Sequence, residues 1–256
     1  MSRIFTIAKN TFREAVRDRI FIIAAVFAFF FIGFSLFIGS ISLDEDARII
    51  TNMGLAAIFS LQLFVAIFVG AQLVFKEVER RTFFLVLPKA VTRSQVLWGK
   101  FFGLAATVAY VTALAMAVFF AVFAFKIHSL QLIPGLLIAI ALGYAEALVV
   151  ISISLLFSSL TSPTLSIFYT LAIVFIGHSS GLLLGVIEKQ SNVFVKYALW
   201  AAYYAFPNLE KFNIRNDVTY GVFPAPMVLV AALLYGIAYG WFAIIAARII
   251  FERREF

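Results

Sequence analysis

The 256-residue chain is 64% hydrophobic and only 13% charged, about half the charged fraction of a typical soluble domain. This composition excludes a soluble globular protein and predicts an all-α integral membrane protein. The sequence contains no cysteine, which excludes disulfides, thiolate metal sites and a cysteine nucleophile. The net charge of +7 indicates basic segments beside anionic lipid, not nucleic-acid binding.

The first 19 residues have the pattern of an amphipathic helix. Six apolar residues share one face of a helical wheel: Ile4, Phe5, Ala8, Phe12, Ala15 and Val16. The remaining surface is polar and basic, and its cations include Lys9, Arg13 and Arg17. Such a helix suits the membrane interface, with its wet side in water or against a partner. The apolar run that follows is too long for the core of a signal peptide.

Six apolar stretches are long enough to cross the hydrocarbon core, which takes about 20 residues. They are Ile20–Ser40, Met53–Phe75, Phe101–Phe125, Leu136–Phe157, Thr164–Ile187 and Met227–Phe251. An even number of spans puts both termini on one side of the membrane, and 14 of the 20 Lys and Arg residues lie on that side. The positive-inside rule therefore predicts cytoplasmic termini. Residues 1–256 are expected to form one transmembrane domain.

Residues 76–100, between the second and third spans, carry an unusual density of charge. The second span is expected to continue as a helix beyond the membrane until Pro88 interrupts it. Thr92 then suits the N-cap of a helix that leads into the third span. The chain is therefore predicted to make a helical elbow on the cytoplasmic side.

Residues 188–226 form the predicted extracytoplasmic loop between the fifth and sixth spans. Its apolar, aromatic stretch at residues 194–207 is too short to span a membrane and is typical of an interfacial or re-entrant helix. The following sequence, FPNLEKFNIRND, is expected to be a polar loop rich in turns.

Ionisable and nucleophilic residues also occur inside the apolar spans. Glu146 is in the middle of the fourth span, where an ionisable group is costly and is a functional candidate by default. It is interpreted as a packed protonated carboxyl, a partner of His178 or part of a translocation path. His178 belongs to GHSSG at residues 177–181, which matches the G-x-S-x-G pattern of hydrolases. An intramembrane serine hydrolase using Ser179 is therefore an alternative, although small residues in membrane helices more often allow close packing.

The chain lacks the motifs of a nucleotide site or a metal site. Gly99 and Lys100 do not complete a phosphate-binding loop, because Ser94 and Phe101 occupy the positions that require Gly and Ser or Thr. Two histidines and four scattered methionines offer little to a metal ion. No cofactor bound by this chain is expected.

The order of these features resembles the ABC-2-type permease family, the membrane half of ATP-binding cassette transporters. The resemblance is carried by TIAKNTFREAVRDR near the amino terminus, by FKEVERRT at the end of the second span and by TRSQVLWGKFFG before the third. It covers nearly the whole chain. Within the family, the sequence is most similar to the subgroup linked to multicopper-enzyme maturation, which includes the permease serving nitrous oxide reductase.

This resemblance implies a coupling helix between spans two and three that docks on an ABC ATPase subunit. Carried onto this sequence, the docking residues are Glu77, Glu79, Arg80, Arg81 and Thr82, with Arg93 close by. The amino-terminal helix would be a second contact, and short re-entrant helices would lie between spans five and six. ATP and Mg²⁺ would be bound by the ATPase partner.

The predicted function is that of a multi-pass permease of the cytoplasmic (inner) membrane, paired with a second permease copy. Without an ATP site of its own, it would couple ATP hydrolysis by a separate subunit to substrate export. Movement transmitted to an extracytoplasmic accessory protein is the other possible output. Two alternatives to the permease are the serine hydrolase and a passive channel or scaffold, which needs no ATPase. The expected partners include membrane lipid but not nucleic acid.

Overall fold

The computed structural model describes residues 2–39, 46–72, 92–127 and 130–253. Within these ranges the regular structure is helical, without a β-strand. Among the described residues, five helices are long and apolar enough to cross a membrane, and a bent pair provides a sixth crossing if it counts as one span. The predicted all-α membrane architecture is therefore confirmed, with five or six spans.

The helices are numbered here in chain order. The first five are α1 (Ser2–Val16), α2 (Arg19–Gly39), α3 (Asp46–Phe64), α4 (Arg93–Lys126) and α5 (Ile133–Leu160). The next five are α6 (Pro163–His178), α7 (Ser180–Lys189), α8 (Val193–Ala205), α9 (Arg215–Thr219) and α10 (Pro226–Arg253). A π-helical turn at Val65–Val69 extends α3, and 3₁₀ turns occupy Leu130–Leu132 and Leu209–Phe212.

The predicted amphipathic helix is present as α1, and it packs along the first turns of α4. Two glycines of α4 make this close approach possible. A Cβ atom added to Gly99 would lie 2.6 Å from the side chain of Ile7, and one added to Gly103 would lie 2.5 Å from Cβ of Thr11. Real Cβ atoms do not approach other atoms so closely, so the contact requires glycine at both positions.

The apolar face of α1, predicted to lie in the membrane interface, packs against α4 only in part. Ala15 is fully buried and the ring of Phe12 meets Tyr110 edge-on, as an apolar face should. Phe5, however, is 72% exposed, whereas the polar Thr11 is buried. The reason is that α4 offers a narrow groove made by glycines four residues apart, and the groove accepts a small polar residue more readily than a phenyl ring.

The predicted helix start at Thr92 is confirmed. The side-chain oxygen of Thr92 accepts a hydrogen bond from the backbone N–H of Gln95 at 3.3 Å, and Oε1 of Gln95 accepts one from the backbone N–H of Thr92 at 3.1 Å. This reciprocal pair is a capping box. From Arg93 the helix continues without a break through the predicted third span. The predicted docking residues at positions 77–82 lie outside the described residues.

The predicted fifth span, Thr164–Ile187, is bent in the structure. Two helices, α6 and α7, replace it, and they meet at Ser179 with a bend of 58°. Ser179 leaves the helical conformation (φ −87°, ψ 7°), and a neighbouring loop packs against the bend. A Cβ atom on Gly177 would lie only 2.7 Å from the carbonyl oxygen of Pro207.

Residues 207–219, called here the inserted segment, contain the predicted polar loop rich in turns, but its apolar residues anchor it in the bundle. Leu209, Phe212, Ile214 and Val218 are all buried. The 3₁₀ turn of the segment contacts α5, α6 and α7, and α9 contacts α3 and α5. The apolar residues recur every two to four positions and anchor the segment, although the residues between them are polar. The predicted helix before it is present as α8, whose apolar side chains are largely exposed.

Candidate functional site

Glu146 and His178 are brought together at the centre of the helix bundle. Helices α5 and α6 are joined by a turn of two residues at positions 161–162. Glu146 lies nearly as far before this turn as His178 lies after it, so the two side chains meet where the antiparallel helices pack. Oε1 of Glu146 is 2.8 Å from Nε2 of His178. Glu146 is about 20 Å along α5 from Ile133 and is completely buried.

The second nitrogen of His178 faces another carboxylate. Nδ1 of His178 is 3.4 Å from Oε2 of Glu210, which lies in the 3₁₀ turn of the inserted segment. The exposed fraction of the side chains rises along this series, from 0% at Glu146 to 28% at His178 and 46% at Glu210. The three groups therefore connect the interior of the bundle with its accessible surface.

The inserted segment extends this series into a longer network. The side-chain amide of Asn213 donates to Oε1 of Glu210 at 3.0 Å, and Nε of Arg215 donates to Oδ1 of Asn213 at 2.9 Å. The guanidinium of Arg215 lies over the ring of Phe59 on α3, 4.9 Å from its centroid. We call Glu146, His178, Glu210, Asn213 and Arg215 the polar chain.

Asn208 fixes the start of the inserted segment to three helices. Its backbone N–H donates to the hydroxyl of Tyr235 on α10 at 2.8 Å. Its side-chain oxygen accepts from Oγ of Ser180 on α7 at 2.8 Å, and its amide donates to the hydroxyl of Tyr203 on α8 at 3.1 Å. Nζ of Lys211 lies 4.2 Å from the ring centroid of Tyr235. These contacts hold Glu210 where it can reach His178.

Three buried oxygen acceptors at and near this site lack a hydrogen-bond partner among the described residues. They are both carboxyl oxygens of Glu146, of which Oε1 nevertheless lies 2.8 Å from Nε2 of His178, and Oε1 of Gln62 on α3. The amide nitrogen of Gln62 donates to Thr112 at 3.1 Å and to the carbonyl of Ile140 at 3.4 Å, so only its oxygen is left. Gly143 is one helical turn from Glu146 on α5. A Cβ atom added to Gly143 would lie 2.6 Å from Oε1 of Gln62.

The arrangement gives no support to a serine hydrolase. Both ring nitrogens of His178 face carboxylates, so the imidazole is not directed at Ser179 as a general base. The G-x-S-x-G sequence occupies the bend between α6 and α7, whereas the nucleophile pattern requires a strand before the serine. The hydroxyl of the neighbouring Ser180 donates a hydrogen bond to Oδ1 of Asn208.

A separate apolar cavity of about 400 Å³ lies between α4, α5 and α10. Trp98 and Trp241 meet at its edge with ring centroids 5.4 Å apart, and Tyr144 and Leu148 of α5 form one wall. Its lining suits an apolar ligand. Glu146 does not line it, so α5 separates this cavity from the polar chain.

The structure places the other predicted residues as follows. Lys9 and Arg13 are exposed on α1, Arg17 is exposed just after its end, and Arg93 is the first residue of α4. The sequence reasoning missed Glu210, Asn213 and Arg215, which it assigned to a polar loop rich in turns. The signal that could have identified them is the recurrence of Leu209, Phe212, Ile214 and Val218 between those polar residues.

Long apolar helices packed around a buried glutamate define a multi-pass α-helical membrane protein. The model of the family described as "ABC-2 family transporter protein" matches residues 5–255. The chain therefore belongs to the ABC-2 transporter family and is the membrane permease subunit of an ABC transporter. No curated protein matches the sequence significantly. The resemblance noted from the sequence is thus confirmed for the family, and the maturation-permease subgroup remains a prediction.

Proposed function

We propose that this permease is one half of a dimeric membrane domain driven by a separate ABC ATPase subunit, in the cytoplasmic membrane. Family membership supports the proposal, because the membrane components of this family usually lack an ATP site of their own. The excess of Lys and Arg near the termini and in residues 76–100 favours cytoplasmic termini. ATP hydrolysis by the partner then drives substrate export, or movement transmitted to an extracytoplasmic protein.

The contact between α1 and α4 is the observation that carries this proposal. α4 begins directly after the predicted coupling helix, and its 34 residues rise by about 51 Å, enough to cross a bilayer. A displacement applied near Thr92 is therefore carried across the membrane by one uninterrupted helix. α1 must move with α4, because Gly99 and Gly103 leave no gap between the two helices.

The proposed docking surface combines the predicted coupling residues with the exposed basic side of α1. The coupling residues are Glu77, Glu79, Arg80, Arg81 and Thr82, together with Arg93. A surface that carries both signs of charge selects the orientation of a protein partner. The acidic residues favour a protein over lipid as the partner, because anionic headgroups would repel them. The polar chain lies deeper in the bundle, where Glu146 and His178 belong to the proposed translocation path.

The proposal is tested by purifying the chain from its native membrane together with any bound ATPase, then assaying ATP hydrolysis in nanodiscs. The test variant is Glu79→Arg, which reverses one charge of the coupling helix. The matched control is Lys189→Glu, which reverses an exposed charge at the end of α7. We expect Glu79→Arg to lose the ATPase or its stimulation by the permease, and Lys189→Glu to keep both.

The opposite results would reject the proposal. A chain that purifies without an ATPase, or one whose hydrolysis is equally indifferent to both charge reversals, is a passive channel or scaffold. A Ser179→Ala variant separates the remaining alternative, because an ABC permease keeps its activity after this change and a serine hydrolase loses it.

A further inference from the structure

We propose that Glu146 is a proton-binding site in the centre of the bundle, and that Glu210 and His178 load it from the accessible surface of the inserted segment. The inference goes beyond the proposed function. It rests on the family's membrane bundle but not on coupling to an ATPase, so the two proposals can fail separately.

The spacing of the three groups supports proton transfer. Contacts of 2.8 Å and 3.4 Å connect Glu146 with His178 and His178 with Glu210, and the series runs from a fully buried to a half-exposed side chain. A neutral imidazole accepts a proton on one nitrogen and donates the proton of the other. Since the two nitrogens of His178 face two different carboxyl groups, the ring is placed to relay a proton between them.

The transfer balances without a further reactant. The starting state is an ionised Glu146 beside a neutral His178 whose proton is on Nε2. A proton from the carboxyl of Glu210, or from water beside it, binds to Nδ1 and makes an imidazolium. The Nε2 proton then passes to Oε1 of Glu146. The products are a neutral Glu146 acid, a neutral imidazole protonated on Nδ1 and the conjugate base of the donor, which is the Glu210 carboxylate or a hydroxide in the surrounding water. The reverse transfer restores the starting state.

The surroundings of Glu146 suit a neutral acid. An ionised carboxylate with no exposure is costly in a membrane bundle, and protonation removes that cost. Neither carboxyl oxygen of Glu146 accepts a hydrogen bond among the described residues, which leaves the ionised form without the donors that would stabilise it. Within the described part of the chain, no group of three or more acidic, histidine or cysteine side chains could hold a metal ion.

The other ionisable groups around the site contact residues other than Glu146 or are exposed. Lys211 lies over the ring of Tyr235 on α10, and Arg215 is bonded to Asn213 and lies over Phe59. The hydroxyl of Tyr144 donates to the carbonyl of Ala105 on α4. Asp217 is exposed on α9. His178 is therefore the ionisable group with a close contact to Glu146 among those described.

The proton site is tested by infrared difference spectroscopy of the full chain in nanodiscs, stepped from mildly alkaline to mildly acidic pH. We expect the carbonyl band of a protonated buried carboxyl to appear in the wild type and to be absent from Glu146→Gln. Glu188→Gln is the matched control, because Glu188 is an exposed glutamate on α7. A wild type without the band, or a band that survives in Glu146→Gln, overturns the proposal.

The loading route is tested by the rate at which this band appears after a rapid pH step. Glu210→Gln should slow it by about a hundredfold, in the range that a positioned acid–base group contributes. Asp217→Asn, an exposed carboxylate on the same segment, should leave the rate unchanged. Equal rates in the two variants would reject the route through Glu210. Because Glu210 is half-exposed, this comparison remains possible if Glu146→Gln fails to fold.

Discussion

Two contacts of this molecule are built with the same device and have different physical character. α1 approaches α4 over Gly99 and Gly103, and the inserted segment approaches the bundle over Gly177 and Gly236. The first contact brings apolar side chains and backbone together. The second places a chain of ionisable groups against a buried glutamate. Grooves formed by glycines therefore occur both where α1 packs against α4 and where the inserted segment brings the polar chain to the bundle.

The difference determines what each contact can respond to. Close packing between α1 and α4 depends on shape, so it passes on displacement and is insensitive to pH. The polar chain depends on which of its groups hold protons, so its stability changes with pH. Four substitutions test this contrast, beginning with the one expected to have the largest effect.

Removing His178 should be the most damaging single change in the polar chain. In His178→Ala, an ionised Glu146 remains buried without its close partner, and an unsatisfied buried group costs about 1–3 kcal/mol, or more when it is charged. The cost should fall at acidic pH, because the proton that Glu146 is proposed to bind removes the buried charge. Denaturant unfolding in nanodiscs at two pH values measures both effects.

The double variant His178→Ala/Glu146→Gln is the control for that experiment. It removes the buried charge together with its partner, so it should be more stable at neutral pH than His178→Ala alone. If the double variant were no more stable, and the loss did not change with pH, His178 would serve only as packing.

Filling the glycine groove on α4 should have the next largest effect. Gly103→Ala places a methyl group 2.5 Å from Cβ of Thr11 and 2.7 Å from the carbonyl oxygen of Ala8, so α1 must shift. We expect a loss of about 1–3 kcal/mol that is the same at neutral and acidic pH. Thermal unfolding of the two proteins measures it.

Gly33→Ala provides the matched comparison. Gly33 lies within α2 and has nothing within 4 Å of an added Cβ atom. Alanine favours a helix over glycine by up to about 1 kcal/mol, so this variant should be neutral or slightly stabilised. A Gly103→Ala protein as stable as Gly33→Ala would show that α1 is not packed tightly against α4.

Asn208→Ala should loosen the inserted segment without removing a charge. It eliminates the side-chain bonds to Ser180 and Tyr203, each contributing about 0.5–1.5 kcal/mol. Faster amide hydrogen exchange in residues 207–219 would report the loosening. Asn216→Ala, at an exposed position of α9, should leave the exchange unchanged. Equal exchange in the two variants would mean that Asn208 does not hold the segment.

The smallest effect is expected at the start of α4. Thr92→Ala removes the capping acceptor for Gln95 and should cost about 1 kcal/mol. Thr92→Ser keeps a hydroxyl and should recover most of it. If alanine and serine behave alike, the capping box does not stabilise the amino-terminal end of this helix. Unfolding measurements on both variants decide the matter.

Much of the fold was predictable because membrane helices leave a strong signal in the sequence. The long apolar stretches predicted the spanning helices, and Thr92 with Gln95 predicted the start of α4. The bend at Ser179 was missed, because an apolar run shows only that a segment is long enough to span. A loop that packs beside Gly177 from 30 residues further along the chain leaves no mark on that run.

The candidate site was predictable only at its buried end. Glu146 was identified because an acid in the middle of a membrane helix is costly, and His178 because it lies in the GHSSG sequence and could be the partner of that acid. Glu210 carried no such signal, since a glutamate in a polar stretch is ordinary. Its role depends on the burial of Leu209 and Phe212, which insert it between helices.

Hydropathy and charge were thus sufficient for the class of protein and the approximate number and position of its spans. They were sufficient because the hydrocarbon core imposes one requirement on every spanning segment independently of the others. Only the tertiary structure decided which face of α1 packs, where the fifth span bends and how Glu210 reaches His178. Those features depend on contacts between residues far apart in the chain, where the room left by a glycine on one element sets how closely another can approach.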